Sequence, residues 1–567
     1  MNRKELKIRN LTELGLILLI IVLLGYLSSL ISIRLDLTSE KRYSLSPATK
    51  EILRKLEHEL YIQVYLDGDM PIGFKKMRTS ITDMLEEFRV YSRKKMDFEF
   101  IDPSENQDPE VRNEIFMELA GKGLKPTNVQ VTEKDGGTSQ KILFPGLILN
   151  YNTMEMAVNL LKNNPALPAE QNLNNSVESL EYELISSIKN VSADTIFKVA
   201  FIEGHGELDE YQVADITMEL ARYYNIDRGV IGGKTGILDE YAAIVVAKPR
   251  EPISEADKFV IDQYIMNGGK VLWLVEEVSV NWDSLVYTTS TVGMYSPLNI
   301  EDQLFKYGVR INPILIKDIN CTLIPVNIAL AGEQPEFAPV PWLYFPLMIP
   351  PENLPITRNI NMIKGEFVNV LDTVGGSGRI SKTFLLTSSK YSGTVNPPCL
   401  ITLEEVRKTP EEGTLNQSFL PVAALLEGEF ESIFKNRLVS DFLPSKEYEF
   451  RETSLPNRMI VIADGDIIRN EVSVRGDRII PLPLDQDRYT NQSYGNKDFI
   501  VNCINYMLDQ SDLMPLRSRE LKLRLLDKSK INEYRIGLQM INTIFPVAII
   551  IISGLVIRLL RKKKFEK

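Results

Sequence analysis

Two long apolar stretches lie near the ends of this chain of 567 residues. The first, LGLILLIIVLLGYLSSLISI at residues 14–33, contains no charged residue, and the second, within residues 536–557, is centred on FPVAIIIISGLVI. About 20 apolar residues are required to cross the hydrocarbon core of a bilayer, so each stretch predicts a transmembrane helix. A cleaved signal peptide is the alternative for the first stretch, but no small-residue cleavage site follows it.

Between residues 36 and 190, segments with strand and helix patterns alternate. Each of the first two predicted strands is followed by a helix, and a further pair of strands precedes the last helix. This order is typical of a thioredoxin-like domain, but the loop DGDMP at residues 67–71 lacks the two cysteines of a thioredoxin enzyme. The predicted bounds are a helix from Pro47 with Ser46 as its N-cap, strands 61–66, 96–101, 128–133 and 141–150, and helices around 81–88, 111–120 and 177–188, with a polar loop at 163–175 before the last helix.

A second α/β domain is predicted over residues 195–512. Strands at 198–202, 242–247 and 270–275 alternate with helices at 213–223 and 255–266, which is a doubly wound parallel pattern. Ser254 is the expected N-cap of the second helix. Later strands are expected at 383–387, 421–427 and 458–464, and a closing helix at 494–508.

The segment between residues 281 and 360 differs, because eight prolines fall between Pro325 and Pro355. Trp342, Tyr344 and Phe345 cluster among them. Proline-rich loops with clustered aromatic residues often present a binding surface, so this loop is a candidate site for a partner. The alternative is that the three rings pack beneath the loop and fill the core.

Charge is distributed unevenly along the chain, whose net charge is -11. Residues 1–13 carry +2 and residues 534–567 carry +6, so the remainder carries -19. This acidic balance gives no reason to expect nucleic-acid binding. It suits an acidic body held by two membrane spans. The expected segments are 1–35 (tip and first span), 36–190, 195–512, 513–535 (basic juxtamembrane helix) and 536–567 (second span and tail).

The basic tips favour an orientation in which both ends are cytoplasmic and about 500 residues lie outside. A cluster before the second span competes with this orientation and includes Arg517, Arg519, Lys522 and Arg524. The first helix usually dominates, and long domains translocate largely regardless of charge. We therefore expect the basic cluster to dock onto lipid headgroups or a partner subunit.

Several motifs that would carry chemistry are absent or incomplete. GVIGGKT at residues 229–235 misses a P-loop, since the first glycine would have to be Arg228, and no G-x-S-x-G occurs. Cys321, Cys399 and Cys503 show no metal-binding spacing, so one disulfide or three free thiols remain the alternatives. No cofactor is expected.

The turn EGHGE at residues 203–207 follows the first strand of the second domain. Glu203, His205 and Glu207 are residue types that suit a metal or acid–base site, for which Asp464 and Asp466 would be further ligands. The alternative is structural: the glycines allow a tight turn, while the polar groups cap a helix and join strand ends. We favour the structural interpretation, because the fold alone places polar residues there.

Four motifs in order carry a resemblance over essentially the whole chain. The chain resembles the GldG family of gliding-motility-associated, substrate-binding-like auxiliary proteins of ABC-2-type transporters. The motifs are R-x-D-x-T at 34–38 with KRYSLS at 41–46, FIEGHGE at 201–207, PW and FP at 341–342 and 345–346, and GNKDF at 495–499.

The resemblance implies an ABC-2-type permease and a separate cytoplasmic ATPase as partners, in the inner membrane of a gliding bacterium. It also implies that the second domain is like a glutamine amidotransferase without its catalytic cysteine. We therefore expect a non-catalytic periplasmic scaffold, with periplasmic gliding or secretion components as further partners. Two alternatives are a genuine solute-binding component and a metal-dependent hydrolase at the Glu203/His205 turn.

Overall fold

A computed structural model describes most of the chain. Two compact units are present, one of residues 45–519 and one of residues 1–44 with 520–567. The described residues are 44–518, except 133–137, 163, 165, 166, 194, 328, 330–333, 335, 376–378, 408–412, 438–448, 477, 491 and 510–512, together with 12, 14–20, 22, 23 and 528–565.

The first part of the larger unit contains a four-stranded sheet in the order β2-β1-β5-β6, with β1 parallel to β2 and antiparallel to β5. β3 and β4 form a separate hairpin. The elements are α1 Pro47–Arg54, β1 Leu60–Val64, α2 Ile72–Tyr91, β2 Met96–Phe100, α3 Pro109–Gly121, β3 Thr127–Thr132, β4 Thr138–Leu143, β5 Gly146–Tyr151, β6 Met154–Asn159 and α4 Ala169–Val191.

Local sequence explains these helices. The Thr49 N–H donates to the Ser46 hydroxyl at 3.0 Å, so the predicted N-cap of α1 is confirmed. The buried positions of α2 follow a three- and four-residue spacing, which places them on one face against the sheet: Phe74, Met77, Ile81, Leu85 and Phe88.

Two predictions in this part are wrong in detail. The expected strand 141–150 is two strands, β4 and β5, because Pro145 interrupts it. The polar stretch expected as a loop at residues 163–175 contains the first two turns of α4 from Ala169. There Asn172 is buried, and its amide donates to the Asn164 carbonyl at 2.8 Å, so a polar residue faces inward without loss of hydrogen bonding.

The remainder of the larger unit is built on a seven-stranded sheet in the order β18-β21-β22-β10-β9-β7-β8. Its elements are β7 Lys198–Glu203, α5 Ala214–Leu220, β8 Asn225–Val230, β9 Ala243–Ala247, α6 Glu255–Met266, β10 Lys270–Leu274, β11 Val278–Ser279, α7 Trp282–Thr288, β12 Ser290–Tyr295, α8 Glu301–Tyr307, β13 Val309–Asp318, β14 Cys321–Asn327, β15 Phe337–Met348, β16 Ile363–Lys364, β17 Asn369–Thr373, β18 Ile380–Thr387, β19 Ser392–Val395, β20 Cys399–Thr402, β21 Pro421–Gly428, β22 Asn457–Ile462, β23 Val472–Arg475, β24 Arg478–Pro481 and α9 Asn496–Leu508.

The predicted parallel pattern is confirmed for β7, β9 and β10, which pair in parallel, and β8 and β22 extend it on either side. All five residues of β9 are buried, as expected of a strand covered on both faces. The chain is thus a mixed α/β protein. The thioredoxin-like and amidotransferase-like assignments stay predictions, as does the separation of residues 36–190 from 195–512, which share one compact unit and one apolar core.

The expected proline-rich loop is mostly strand, and that prediction is wrong. β14 and β15 pair in antiparallel fashion, with Pro325 opposite Pro339, and β16 pairs with the end of β15. A proline has no N–H group to donate to a neighbouring strand, so strands rich in proline are found where little strand pairing is required. A narrow, three-stranded sheet such as this one is such a place.

The smaller unit contains the long helix α10, Lys528–Phe565. Within it Gln539–Leu560 has a mean hydropathy of 2.4 and no buried share, so it is apolar and long enough to cross a membrane. This agrees with the predicted second span. Of the predicted first span, residues 14–20, 22 and 23 are helical, and the rest lies outside the described residues.

Candidate functional site

Four parallel strands, β7, β9, β10 and β22, end at the same edge of the seven-stranded sheet. The charged residues at or just beyond their ends are Glu203, Lys248, Glu276 and Asp464. In open α/β sheets, ligands bind at this carboxyl edge where the strand order reverses, which here is between β7 and β9. This edge is therefore where chemistry is first expected.

His205 lies at that reversal point and is only 5% exposed. Its Nδ1 is 3.0 Å from Glu207 Oε1, and its Nε2 is 3.1 Å from Asp257 Oδ2. Its backbone carbonyl accepts hydrogen bonds from the N–H groups of Arg250 and Glu251 at 2.8 and 2.9 Å. The side chain and backbone of His205 therefore join the β7 turn to the loop after β9 and to α6.

The surrounding sequence explains this arrangement. Gly204 and Gly206 have φ angles of +112° and +72°, which a residue with a Cβ rarely adopts, and they reverse the chain around His205. Asp257 lies in the first turn of α6, where its backbone N–H donates to Ser254 Oγ at 3.1 Å, so the predicted N-cap is confirmed.

The hydrogen bond to Glu207 raises the pKa of His205 above its ordinary value against the opposing effect of burial, and Asp257 adds to the rise. Both ring nitrogens are occupied by carboxylates, so neither has a lone pair directed at a metal. Glu203 is paired with Arg228 at 2.7 Å. The three residues of the alternative metal site, Glu203, His205 and Asp464, therefore have different partners in the structure.

A second set of charges lies at the ends of β9, β10 and β22. Lys248 Nζ is 2.9 Å from Glu276 Oε1 and also forms an ion pair with Asp466. Arg469 Nε is 2.5 Å from Asp466 Oδ1. Although burial opposes it, the pKa of Lys248 is raised by Asp466 and Glu276, so its ammonium stays charged between them.

The same set extends onto β16 and the residues after it. Arg469 Nη2 is 2.5 Å from Glu366 Oε2, and Lys364 Nζ is 2.9 Å from Glu366 Oε1. Both partners of Glu366 are therefore cations. We call the following seven residues the edge network: Lys248, Glu276, Lys364, Glu366, Asp464, Asp466 and Arg469.

Asp464 is the one fully buried carboxyl group of this network. Its oxygens accept the N–H groups of Asp466 at 2.8 Å and Glu366 at 3.0 Å. Burial, followed by the charges of Asp466 and Glu276, raises its pKa well above the ordinary range. Gly365 is required beside it, because a Cβ there would lie 2.8 Å from Asp464 Oδ2.

Glu276, Asp464 and Asp466 are also a group of carboxyl side chains with oxygens within 4.8 Å of one another. Such a group could hold a hard cation. Here Lys248 already supplies a positive charge to two of the three. A cavity of about 40 Å³ remains beside Glu366 and Asp466, which is room for water but not for a substrate.

Comparison with known proteins identifies the family to which this chain belongs. The model of a family described as "ABC-type uncharacterized transport system" matches residues 197–503, which is more than half of the chain. The chain belongs to this family of ABC-transport auxiliary proteins. A second model, of a domain of unknown function (DUF7088), matches residues 39–150.

Two further similarities were found. An uncharacterized protein of Borreliella burgdorferi is 22% identical to this auxiliary protein over 584 residues, and the alignment covers 100% of both chains. A solved structure, the "mmIFT52 N-terminal domain", is 12% identical, with coverage of 55% of this chain and 96% of that chain and a TM-score of 0.31. This TM-score is too low to indicate a shared fold.

The aromatic residues of the proline-rich segment are not on the surface of this auxiliary protein. Trp342, Tyr344 and Phe345 are 1%, 1% and 3% exposed, and they pack in one apolar cluster with Trp282 and Phe367. The rings fill a core, which was the alternative in the sequence analysis. The expectation that these side chains present a surface to a partner is therefore corrected.

The basic juxtamembrane residues divide into two groups. Arg517 is 9% exposed, donates to the Arg358 carbonyl at 3.2 Å and lies over the ring of Tyr182. It stabilises the larger unit and is not available to lipid or a permease, so that prediction is wrong. Arg519, Lys522 and Arg524 lie outside the described residues.

The three cysteines are free thiols.

Sequence reasoning missed most of the edge network. Asp464 and Asp466 were recognised because they follow a strand, whereas Lys248, Glu366 and Arg469 carried no motif. The available signal was the position of Lys248 and Glu276 just after two adjacent buried strands.

Replacement of His205 by Gln is expected to destabilise the protein more at pH 6 than at pH 9. The pKa of His205 is raised by folding, so its contribution is complete below its unfolded pKa and is lost as the pH rises through the folded value. Melting temperatures of both full-length chains across this range measure the effect. His58→Gln is the control, because the ring of His58 lies against Tyr151 rather than between two carboxylates. A pH-independent cost for His205→Gln would contradict the assignment.

Lys248→Met is expected to reduce the free energy of unfolding by roughly 3–5 kcal/mol, because Asp466 and Glu276 lose a buried counter-charge. Lys306→Met is the matched control, since Lys306 pairs with Glu431 at the surface and its loss should cost about 0–1 kcal/mol. Urea unfolding of the full-length chains in detergent measures both. Equal costs would show that the edge network does not stabilise the fold.

Proposed function

We propose that this auxiliary protein is a non-catalytic, membrane-anchored subunit that serves an ABC-2-type permease as a periplasmic scaffold. The closed carboxyl edge of its large sheet carries the proposal. At the position where an α/β enzyme exposes its reactive groups, Lys248, Arg469 and Lys364 are paired with carboxylates, and His205 is held between Glu207 and Asp257.

Opening that edge to a substrate would break several buried ion pairs. Separation of one partner from a buried pair typically costs about 3–5 kcal/mol, and a ligand would have to supply this for each pair it displaced. The hydrolase alternative is also weakened, because His205, on which imidazole chemistry at this turn would depend, has no free ring nitrogen. Function through contact therefore fits the site better than turnover.

A separate ATPase is part of the proposal. Gly229 and Val230 end β8, and residues 231–242 form turns rather than the helix that a P-loop opens. The resemblance to the GldG family further suggests gliding motility as the process, with periplasmic gliding or secretion components as additional contacts.

The membrane arrangement we propose has two spans, both termini in the cytoplasm and the body on the periplasmic side of a bacterial inner membrane. The described residues leave the apolar surface of Gln539–Leu560 uncovered, so we propose that lipid or permease helices surround it. Arg519, Lys522 and Arg524 would meet headgroups or the permease just before this span.

Affinity purification of the full chain from solubilised native membranes is expected to recover a polytopic permease and a nucleotide-binding ATPase in fixed proportion. A variant with residues 14–33 and 539–560 replaced by Leu/Ala helices of equal length should lose both, because the proposed docking uses the spans. Quantitative mass spectrometry measures recovery. Equal recovery with the replaced spans would exclude docking through them.

Single cysteines placed on the body test the orientation. In a variant whose three native cysteines are replaced by serine, Tyr287→Cys should react with a membrane-impermeant maleimide on intact spheroplasts, since Tyr287 is 85% exposed. Lys563→Cys in the basic tail is the matched control and should react only after lysis. The reverse labelling would place the body in the cytoplasm and overturn the proposed topology.

A further inference from the structure

A cavity of about 380 Å³ lies within the larger unit and shares Tyr494 with the lining of the smaller cavity at the carboxyl edge. One wall is the second half of α4 together with the end of β6. The opposite wall is formed by the residues after α5, by α9 and by the short helix Met514–Ser518. Ligand pockets in proteins are typically about 300–1,000 Å³, so this cavity has the size of a small-molecule site.

Four tyrosines line the cavity, and three of them, Tyr182, Tyr223 and Tyr224, lie on α4 or just after α5. Burial raises the pKa of each phenol above its ordinary value, so all three hydroxyl groups stay protonated at physiological pH. The lining therefore offers flat apolar rings with neutral hydroxyl groups, which suit a ligand that has both apolar and hydroxyl-bearing faces.

Polar groups from three elements face this space. The Tyr224 hydroxyl donates to Asn505 Oδ1 at 2.7 Å, which orients that amide. Within the described part of the chain, neither the Tyr223 hydroxyl nor the side-chain amide of Asn190 has a hydrogen-bond partner. Both residues are half-buried, so these two groups can be reached by, and can bond to, a molecule in the cavity.

The charged residues of the lining are largely matched in pairs. Lys162 is 2.8 Å from Glu183, and Arg222 is 3.1 Å from Glu219. Lys189 is 3.5 Å from Asp509. A ligand with a net charge would have to displace one of these partners, whereas a neutral ligand can bond to both groups of a pair without separating them.

We propose that this cavity binds a neutral, polyhydroxylated small molecule of the size of a mono- or disaccharide. Sugar hydroxyls both donate and accept, so they can satisfy the Tyr223 hydroxyl and the Asn190 amide together. The C–H faces of the sugar ring pack against the tyrosine rings. The proposal goes beyond the scaffold role and is independent of it, since permease docking does not require the cavity.

The test uses the full-length chain in detergent, with glucose, N-acetylglucosamine and maltose as probes. At least one sugar is expected to bind saturably in calorimetry and to raise the melting temperature. Sodium glutamate, which is close to glucose in size, and the smaller inorganic phosphate both carry charge and should do neither. Binding of a charged probe instead of any sugar, or binding of none of the probes, would overturn the proposal.

Variants locate the site. Tyr223→Phe removes one hydroxyl group and Asn190→Ala one amide, and each is expected to raise the dissociation constant of the bound sugar about tenfold. Tyr287→Phe, which removes an exposed hydroxyl elsewhere, should leave it unchanged. Wild-type affinity in both cavity variants would show that the sugar binds elsewhere. Co-purification of the permease with Tyr223→Phe keeps this result separate from the scaffold role.

Discussion

The structure depends on one constraint at the carboxyl edge. The charged side chains there lie away from bulk solvent, so they must be neutralised by one another. Four carboxyl groups and three cations meet there, and burial raises the pKa of Asp464, the carboxyl group that has no ion pair among the described residues. Buried ion pairs contribute little net stability, but loss of one partner leaves a charge that the interior cannot solvate. The network therefore fixes the loops after β9, β10 and β22 in one arrangement, and it occupies the space that a catalytic site would need.

Much of the large sheet could be predicted from sequence. Lys198–Glu203, Ala243–Ala247 and Lys270–Leu274 were expected as strands because each is a short apolar run bounded by turn residues. Helix α6 was expected with its observed bounds, since Ser254 caps its start and Gly268 follows its end. These signals are local. By contrast, β14 and β15 contain prolines, which normally argue against strands, and only their pairing with each other explains why they form.

The site was less predictable because its determinants are tertiary. The turn EGHGE was recognised as polar and structural, but the partner of His205 on α6 is 52 residues away, and Arg469 pairs with Glu366 over 103 residues. No local pattern specifies such partners. The rings of Trp342, Tyr344 and Phe345 were equally hard to place from local sequence. An apolar cluster in a proline-rich segment is compatible with a binding surface and with a core. The burial of the three rings in the structure shows that they form a core.

The two polar regions of the larger unit differ in the room that they leave. At the carboxyl edge, ion pairs hold the charged groups around a cavity of about 40 Å³, whereas the cavity of about 380 Å³ is large enough for a small molecule to reach the half-buried Tyr223 hydroxyl and Asn190 amide. Binding energy is available only where a ligand gains bonds that the empty protein lacks. A ligand that joined α4 to α9 would also tie the first part of the unit to the second, and thus stiffen the body that the proposed scaffold presents to its transporter.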